Sequence, residues 1–359
     1  MLQRILKAQQ AMDAACNVLG RQINIMEVCG THTVSIFRNG IRPTLPKKLK
    51  LLSGPGCPVC VTDQAYIDTC IELSQNPDCI IATYGDMIRV PGKGGSLETR
   101  QSSQNIKIVL SAEDAIDLAK QSPGKTIIFV AVGFETTTPA SAVVIKEAKE
   151  RNTKNFTVLC NHKRVVPAMN ALLSEKNHKI DAFLCPGHVS VIIGSDAYKP
   201  IVDEFKRPCV VGGFEPMQII ESLAEICRQL ETQKPQVASL YSAAVTKEGN
   251  LKAQKLIDEV FVPSDGYWRG LGKIPAGTLK IKDQYRDFDA AARFGIEEKS
   301  NEDVTGCRCG EVLCGLIDPQ DCGLFGSRCT PESPVGPCMV SSEGACSAWY
   351  KYGRKRISR

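Results

Sequence analysis

No apolar run in the 359-residue chain approaches the ~20 residues that a membrane-spanning helix requires. The N-terminal stretch MLQRILKAQQAMDAAC is typical of an amphipathic helix, and it lacks the apolar core of a signal peptide. We therefore expect a cytoplasmic protein that has no membrane partner.

Signals for nucleic-acid binding are scarce as well. The net charge is only +5, and no aromatic-rich or groove-reading motif accompanies the basic residues. The one dense basic run consists of Lys351, Arg354, Lys355, Arg356 and Arg359. We interpret this run as a solvated tail, and we expect no nucleic-acid partner.

Cysteine, in contrast, is abundant, with 17 residues in the chain. Because a reducing compartment disfavours a disulfide scaffold, this number indicates metal binding or redox chemistry. The remaining composition, with 43% hydrophobic and 23% charged residues, is typical of a globular protein with a sizeable core. The length predicts two or three domains, and we take three as the working number.

Short apolar runs rich in Ile and Val recur along the chain, and each leads into a loop of small or reactive residues and then a helical stretch. This pattern is typical of βα units in a parallel sheet. We predict an α/β fold with two Rossmann-like parallel-sheet lobes, 1–120 and 121–260, that face a cleft. From Val260 the pattern breaks into Gly, Pro and polar residues without strong strand alternation, which predicts a third, mainly helical or loop module over 261–359.

Two sets of residues read as core. The segment after Pro216 spaces its apolar residues as one helical stripe, namely Ile219, Leu223, Ile226 and Leu230. Seven cysteines lie in apolar strands or helical stripes, where packing is the favoured role: Cys16, Cys70, Cys79, Cys160, Cys185, Cys209 and Cys227.

The remaining cysteines concentrate near the C-terminus, where seven lie within forty residues: Cys307, Cys309, Cys314, Cys322, Cys329, Cys338 and Cys346. Thiolates are soft ligands that suit iron–sulfur clusters and zinc, and a [4Fe–4S] cluster needs four of them. The long spacings and the lack of histidine favour iron–sulfur over structural zinc, which stays as an alternative. Surplus thiols are either inert or a reducible pair beside the cluster.

Two further cysteine motifs follow predicted strands near the N-terminus. Cys29 and His32 belong to a CGTH motif, where helix N-terminal N–H groups would lower the pKa of the thiol for metal binding or nucleophilic attack. A buried, inert cysteine and a structural histidine are the alternatives. Cys57 and Cys60 form a CPVC motif that allows a redox disulfide or two metal ligands, and a packing role is less favoured. Cys29, His32, Cys57 and Cys60 are therefore candidate functional residues.

Several strand-end loops also carry polar residues that could form hydrogen bonds in the cleft. The candidates are Glu135, the run Thr136 to Thr138, His162, Lys163 and His188. A structural role is as reasonable for each of them.

Eight motifs occur in one order along nearly the whole chain: CGTH, GPGCPVC, YGDMIRVPG, VGFETTTPA, NHKRVVPAM, PGHVS, GGFEP and CTPESPVGPCMVSSEGAC. Together they resemble the HypD family of [NiFe]-hydrogenase maturation factors. The resemblance implies two similar α/β lobes, a C-terminal [4Fe–4S] module and assembly of the Fe(CN)₂CO group. It further implies that a small HypC partner shares the iron with Cys29, that HypE delivers cyanide, and that the hydrogenase large subunit is served indirectly.

The resemblance also implies a division of labour among the C-terminal cysteines. Four of them would hold the cluster: Cys307, Cys322, Cys329 and Cys346. Cys309 and Cys338 would form a thiol pair that passes electrons from the cluster to Cys57 and Cys60, while Cys314 has no counterpart. We expect a cofactor assembly factor with redox activity. A stand-alone iron–sulfur thiol–disulfide reductase is the alternative, and a radical enzyme is disfavoured because no C-x₃-C-x₂-C triad is present.

Overall fold

The computed structural model describes residues 2–100, 105–300 and 306–353, apart from the side chain of Leu2. Most of the basic tail therefore lies outside the described residues. The strands in these ranges are β1 (Ile23–Glu27), β2 (Leu49–Ser53), β3 (Cys79–Thr83), β4 (Ile106–Ile108), β5 (Thr126–Gly133), β6 (Phe156–His162), β7 (Ala182–Cys185), β8 (Cys209–Val211), β9 (Val237–Ser239), β10 (Phe261–Trp268) and β11 (Gly272–Ile281).

Helices alternate with these strands along most of the chain. The α-helices are α1 (Leu2–Leu19), α2 (Gly30–Arg38), α3 (Pro58–Val61), α4 (Gln64–Leu73), α5 (Gly85–Ile88), α6 (Ala112–Gln121), α7 (Thr138–Glu150), α8 (Val165–Ser174), α9 (Gly187–Ile193), α10 (Lys199–Phe205), α11 (Pro216–Thr232), α12 (Leu251–Val260), α13 (Ala290–Phe294), α14 (Cys309–Leu313), α15 (Pro337–Val340) and α16 (Ala345–Tyr352). Short 3₁₀ turns cover Arg42–Thr44, Glu98–Arg100, Ser195–Tyr198, Asp283–Phe288 and Pro319–Asp321. None of the helices in the described ranges is both long and apolar enough to span a membrane.

Two parallel sheets confirm the predicted α/β class. The first has the order β2-β1-β7-β8-β9, and the second has the order β4-β3-β5-β6. Strand β5 is buried at seven of its eight positions, because parallel strands covered by helices on both faces carry continuous apolar runs.

The sheets do not follow the predicted division at residue 120. The chain leaves the first sheet after β2, builds the whole second sheet, and then returns so that Ala182 of β7 pairs with Ile25 of β1. Each sheet therefore takes strands from both predicted lobes. The physical reason is that βα units of similar composition carry no signal for which of them become neighbours.

The segment after Val260 also differs from the prediction, since it begins with the antiparallel hairpin β10–β11. A register shift between Ser264 and Gly266 interrupts its pairing, which explains the weak alternation in the sequence. Phe261 and Ile281 belong to the core of the second sheet. The cysteine-rich remainder, 306–353, consists of short helices and loops as expected.

Most of the predicted core residues are buried. In α11, Ile219, Leu223 and Ile226 are fully covered while Leu230 is half-buried, and this helix packs against the amphipathic α1. Six of the seven cysteines predicted to pack are buried, while Cys160 is half-buried and its thiol lies 3.2 Å from the Leu279 carbonyl oxygen.

Candidate metal and thiol site

The C-terminal cysteines converge on one small cavity of about 10 Å³. Its thiol lining consists of Cys307, Cys309, Cys322, Cys329, Cys338 and Cys346. Leu324, Phe325 and Met339 supply apolar walls between the thiols. Cys314 does not line this cavity. Its thiol instead donates to the Gly270 carbonyl oxygen at 3.6 Å.

Glycines allow the loops of this segment to approach one another. Gly336 lies directly against the thiol of Cys307, and Gly344 lies against the backbone of Cys338. A side chain at either glycine would collide with these neighbours. The glycine and proline content of the segment therefore serves to wrap the chain tightly around its cysteines.

Cys309 and Cys338 form a close buried pair, with their sulfur atoms 2.7 Å apart. Hydrogen bonds from Cys307 and then from Cys338 hold the pKa of Cys309 well below its ordinary value. The pKa of Cys338 is raised by its hydrogen bond with Cys309, by a hydrogen bond with Cys346 and by burial. The two shifts have opposite directions, so Cys309 is the more acidic thiol of the pair.

The thiol set fits the donor requirement of a [4Fe–4S] cluster, because it offers more than the four thiolates needed in an apolar enclosure. In the described ranges, no three His, Cys, Asp or Glu side chains are arranged to hold a single metal ion. A cluster is instead bound at separate corners, which spreads its ligands around a volume.

The CPVC motif lies beside this cavity. Cys57 caps α3 and is disulfide-bonded to Cys60. The sulfur of Cys60 lies 3.9 Å from the carbonyl oxygen of Pro337, the residue that precedes Cys338. The structure therefore brings together the two thiol pairs that lie far apart in sequence.

Cys29 follows β1 and occupies the N-cap position of α2, as the sequence predicts, although its side chain forms no capping hydrogen bond. Its side chain is only 7% exposed, however, and burial raises the pKa of its thiol to about 11. Backbone N–H groups of His32 and Thr31 act in the opposite direction but are outweighed. The expected lowering of this pKa was wrong, because the helix terminus is covered.

His32 is fully buried and contacts the GGFEP motif. Its Nε2 donates to the Gly213 carbonyl oxygen at 3.0 Å, and its ring lies 4.8 Å from that of Phe214, centroid to centroid. Burial lowers the pKa of His32 to about 4, so the ring is neutral near pH 7. The ring of His188 also lies against that of Phe214, with a distance of 4.2 Å between the centroids.

The CGTH and CPVC motifs are neighbours at the carboxyl edge of the first sheet. The backbone N–H of Gly30 donates to the Gly56 carbonyl oxygen at 3.1 Å, and Gly56 packs on the backbone of Cys29. On the same motif, Thr31 donates to Glu343 at 2.7 Å. The C-terminal segment therefore touches both N-terminal motifs.

Sequence reasoning missed two residues that support this site. Glu343 lies within the quoted SSEGAC stretch, but its acidic side chain gave no separate signal. Glu27 is fully buried and accepts from Arg42 and Ser53, both at 2.9 Å. An acidic residue inside the apolar run INIMEV was the available signal for Glu27.

The polar residues of the second lobe have local roles. Glu135 accepts from the backbone N–H of Val165 at 3.0 Å, and Lys163 donates to the Tyr267 carbonyl oxygen at 2.6 Å. His162 lies 2.8 Å from the hydroxyl of Ser141. A larger open cavity of about 940 Å³ lies beside α4 and β11, and it contains none of the predicted site cysteines.

Comparison with known proteins gives a consistent family. The model of the HypD family, described as hydrogenase formation hypA family, matches residues 3–353. The hydrogenase expression/formation protein HupD of Azotobacter chroococcum mcd 1 is 43% identical over 94% of this chain and 91% of its own. Hydrogenase maturation factor HypD of Azotobacter vinelandii is 43% identical over the same shares, and HypD of Escherichia coli K12 is 43% identical over 92% and 90%.

Proposed function

Because the chain belongs to the HypD family, we propose that it serves hydrogenase maturation by assembling the Fe(CN)₂CO group of [NiFe] hydrogenases. Iron is the cargo in this proposal, held by Cys29 together with a cysteine of a small HypC-like partner. A HypE-like partner delivers the cyanide. The hydrogenase large subunit is the eventual acceptor.

The observation that supports this function most directly is the loop from Pro337 to Cys346. Its first residue contacts Cys60 through a carbonyl oxygen, and Glu343 contacts the CGTH motif. Cys338 and Cys346 on the same loop face the cysteine-lined cavity. Three groups of thiols with different predicted roles are thus joined by one short segment.

Four of the cavity cysteines would hold a [4Fe–4S] cluster, as the family implies: Cys307, Cys322, Cys329 and Cys346. Such a cluster supplies one-electron transfer when bound. Cys309 and Cys338 remain as a thiol pair that is not needed for ligation.

Thiol–disulfide exchange would connect this pair with the CPVC motif. One thiolate of Cys309 and Cys338 attacks the disulfide between Cys57 and Cys60, and a mixed disulfide forms. The second thiol of the attacking pair then resolves it. The products are a Cys309–Cys338 disulfide and two free thiols at the CPVC motif, so two electrons move without an outside oxidant.

Cys29 is suited to hold the iron because a thiolate is a soft ligand for low-spin Fe(II). The burial that raises its pKa keeps the free thiol protonated near pH 7. Metal binding then releases this proton, since only the thiolate coordinates.

Infrared and Mössbauer spectroscopy on anaerobically purified protein, co-expressed with the HypC-like partner, tests the proposal. Wild type should show bands of iron-bound cyanide and carbon monoxide, and Cys29→Ala should lose them while retaining the [4Fe–4S] signal. Cys16→Ala, a buried cysteine in α1, is the matched control and should resemble wild type. A normal cluster signal without these bands in wild type would refute iron assembly.

The second candidate is a stand-alone iron–sulfur thiol–disulfide reductase. The disulfide between Cys57 and Cys60, adjacent to Cys338, favours it. Such an enzyme should reduce a protein disulfide repeatedly without the HypC-like partner, whereas an assembly factor should not.

A further inference from the structure

We infer that Glu343 is a positioning residue for Cys29, which it holds in a closed site through its hydrogen bond with Thr31. The inference deepens the proposed function, and it rests on that function because Cys29 is there the iron ligand. Thr31 is two residues from Cys29, and Glu343 belongs to the C-terminal segment.

The contact between the two segments is close and specific. The Thr31 hydroxyl donates to Glu343 Oε1 at 2.7 Å. A Cβ added to Gly30 would lie 2.6 Å from the Cβ of Glu343. The absence of a side chain at Gly30 therefore allows Glu343 to lie flat on the CGTH motif, in reach of the Thr31 hydroxyl.

Cys29 is enclosed from two directions. The Gly56 backbone packs on the backbone of Cys29, and Glu343 covers the two residues that follow it. Cys29 is only 7% exposed. A thiol that shares iron with a partner's cysteine has to become accessible from one of these two sides. The Gly56 side is fixed, because Gly56 belongs to a loop held by the first sheet. The Glu343 segment is therefore the side that must open.

The same segment reaches the buried thiol pair. The backbone N–H of Glu343 donates to the Ser341 hydroxyl at 3.3 Å, and Gly344 lies directly on the Cys338 backbone. The Glu343 segment therefore contacts both the CGTH motif and the backbone of Cys338.

Alkylation of Cys29 by iodoacetamide, followed by peptide mass spectrometry on the full-length iron-free chain under anaerobic conditions, tests this role. Glu343→Ala and Thr31→Val each remove the hydrogen bond and should raise the alkylation rate about three- to tenfold. Glu343→Gln keeps an acceptor and Thr31→Ser keeps the donor, so each should alkylate more slowly than Glu343→Ala or Thr31→Val at the same position. Ser342→Ala, at an exposed neighbour, is the matched control.

The double variant adds a second criterion. Because Glu343→Ala and Thr31→Val both remove the bond between Thr31 and Glu343, the two rate increases should not multiply in the double variant. Unchanged rates in both single variants would overturn the inference. An equal rise at the core residue Cys70 would overturn it too, since that result indicates general loosening.

The outcome is separable from that of the proposed function. Faster alkylation in the Ala and Val variants, without cyanide and carbonyl bands in the co-expressed wild type, would leave the positioning role and refute iron assembly. Unchanged alkylation with normal bands would refute the positioning role alone.

Discussion

Gly56→Ala should destabilise the protein by disturbing the contact between the CPVC and CGTH motifs. The three atoms nearest to an added Cβ are the backbone N, Cα and C of Cys29, and the last of these would lie only 2.6 Å away. Backbone at the end of a central strand cannot rotate aside as a side chain can. Gly56 does not have a left-handed backbone, so alanine itself is permitted there.

The expected magnitude follows from forced overpacking, which destabilises by about 1–3 kcal/mol. With an unfolding entropy of about 2.1 cal/mol/K per residue, 1 kcal/mol shifts the Tm of this 359-residue chain by about 1.3 °C, which predicts a decrease of about 1–4 °C. Anaerobic scanning calorimetry of the reduced full-length chain would measure it.

Gly124→Ala provides the matched control for this experiment. A Cβ at Gly124 has no neighbour within 4 Å, and its backbone is not left-handed. Its Tm should be unchanged or slightly higher, because alanine restricts the unfolded chain. Equal Tm values for Gly56→Ala and wild type would refute the argument that these two loops are packed backbone to backbone.

Three further predictions concern charge and ligation. Burial raises the pKa of Glu135 to about 7 from 4.5; the folded state holds this proton more tightly, so stability falls as pH rises through that window. Glu135→Gln abolishes this titration. The free energy of unfolding of the variant, relative to wild type, should therefore increase by about 3 kcal/mol between pH 4.5 and 7, as measured by urea unfolding. Arg42→Met should destabilise by about 3–5 kcal/mol, because it leaves the buried Glu27 carboxylate without its cation, and urea unfolding measures this as well. Cys314→Ser should retain iron and sulfide after anaerobic purification, whereas Cys322→Ser should lose them.

Each of these has a clear contrary result. A pH-independent difference for Glu135→Gln would mean that its carboxyl is not desolvated. Lys50→Met removes a half-exposed ion pair to Asp318 and should change stability by at most about 1 kcal/mol, so an equal loss in Arg42→Met would contradict the burial argument. Iron loss in Cys314→Ser would contradict its position outside the cavity.

The fold class and the grouping of the C-terminal cysteines were predictable from the sequence. Apolar runs ending in small residues identify parallel strands, and cysteines such as Cys329 and Cys338 in Gly- and Pro-rich loops have no place in an ordinary core. Strand order was not predictable, because β1 pairs with β7 across the whole second sheet. Such pairing depends on packing between distant segments, which local periodicity does not encode.

The enclosure of Cys29 was equally out of reach of the sequence. Its position after a strand and before a helix was predicted, and the structure has it there. Its low exposure depends on Gly56 and Glu343, which approach from two other parts of the chain. The sign of its pKa shift follows from that tertiary contact, so the local motif alone predicted the wrong direction.

The interleaved sheets impose an order on synthesis. The second sheet uses one continuous stretch of chain from β3 to β6, so its strands can pair while the ribosome is still translating. The first sheet must wait for β7, β8 and β9, although β1 and β2 emerge earlier. The cover supplied by Glu343 arrives last of all. Cys29 is thus synthesised long before the segment that contacts its motif through Glu343.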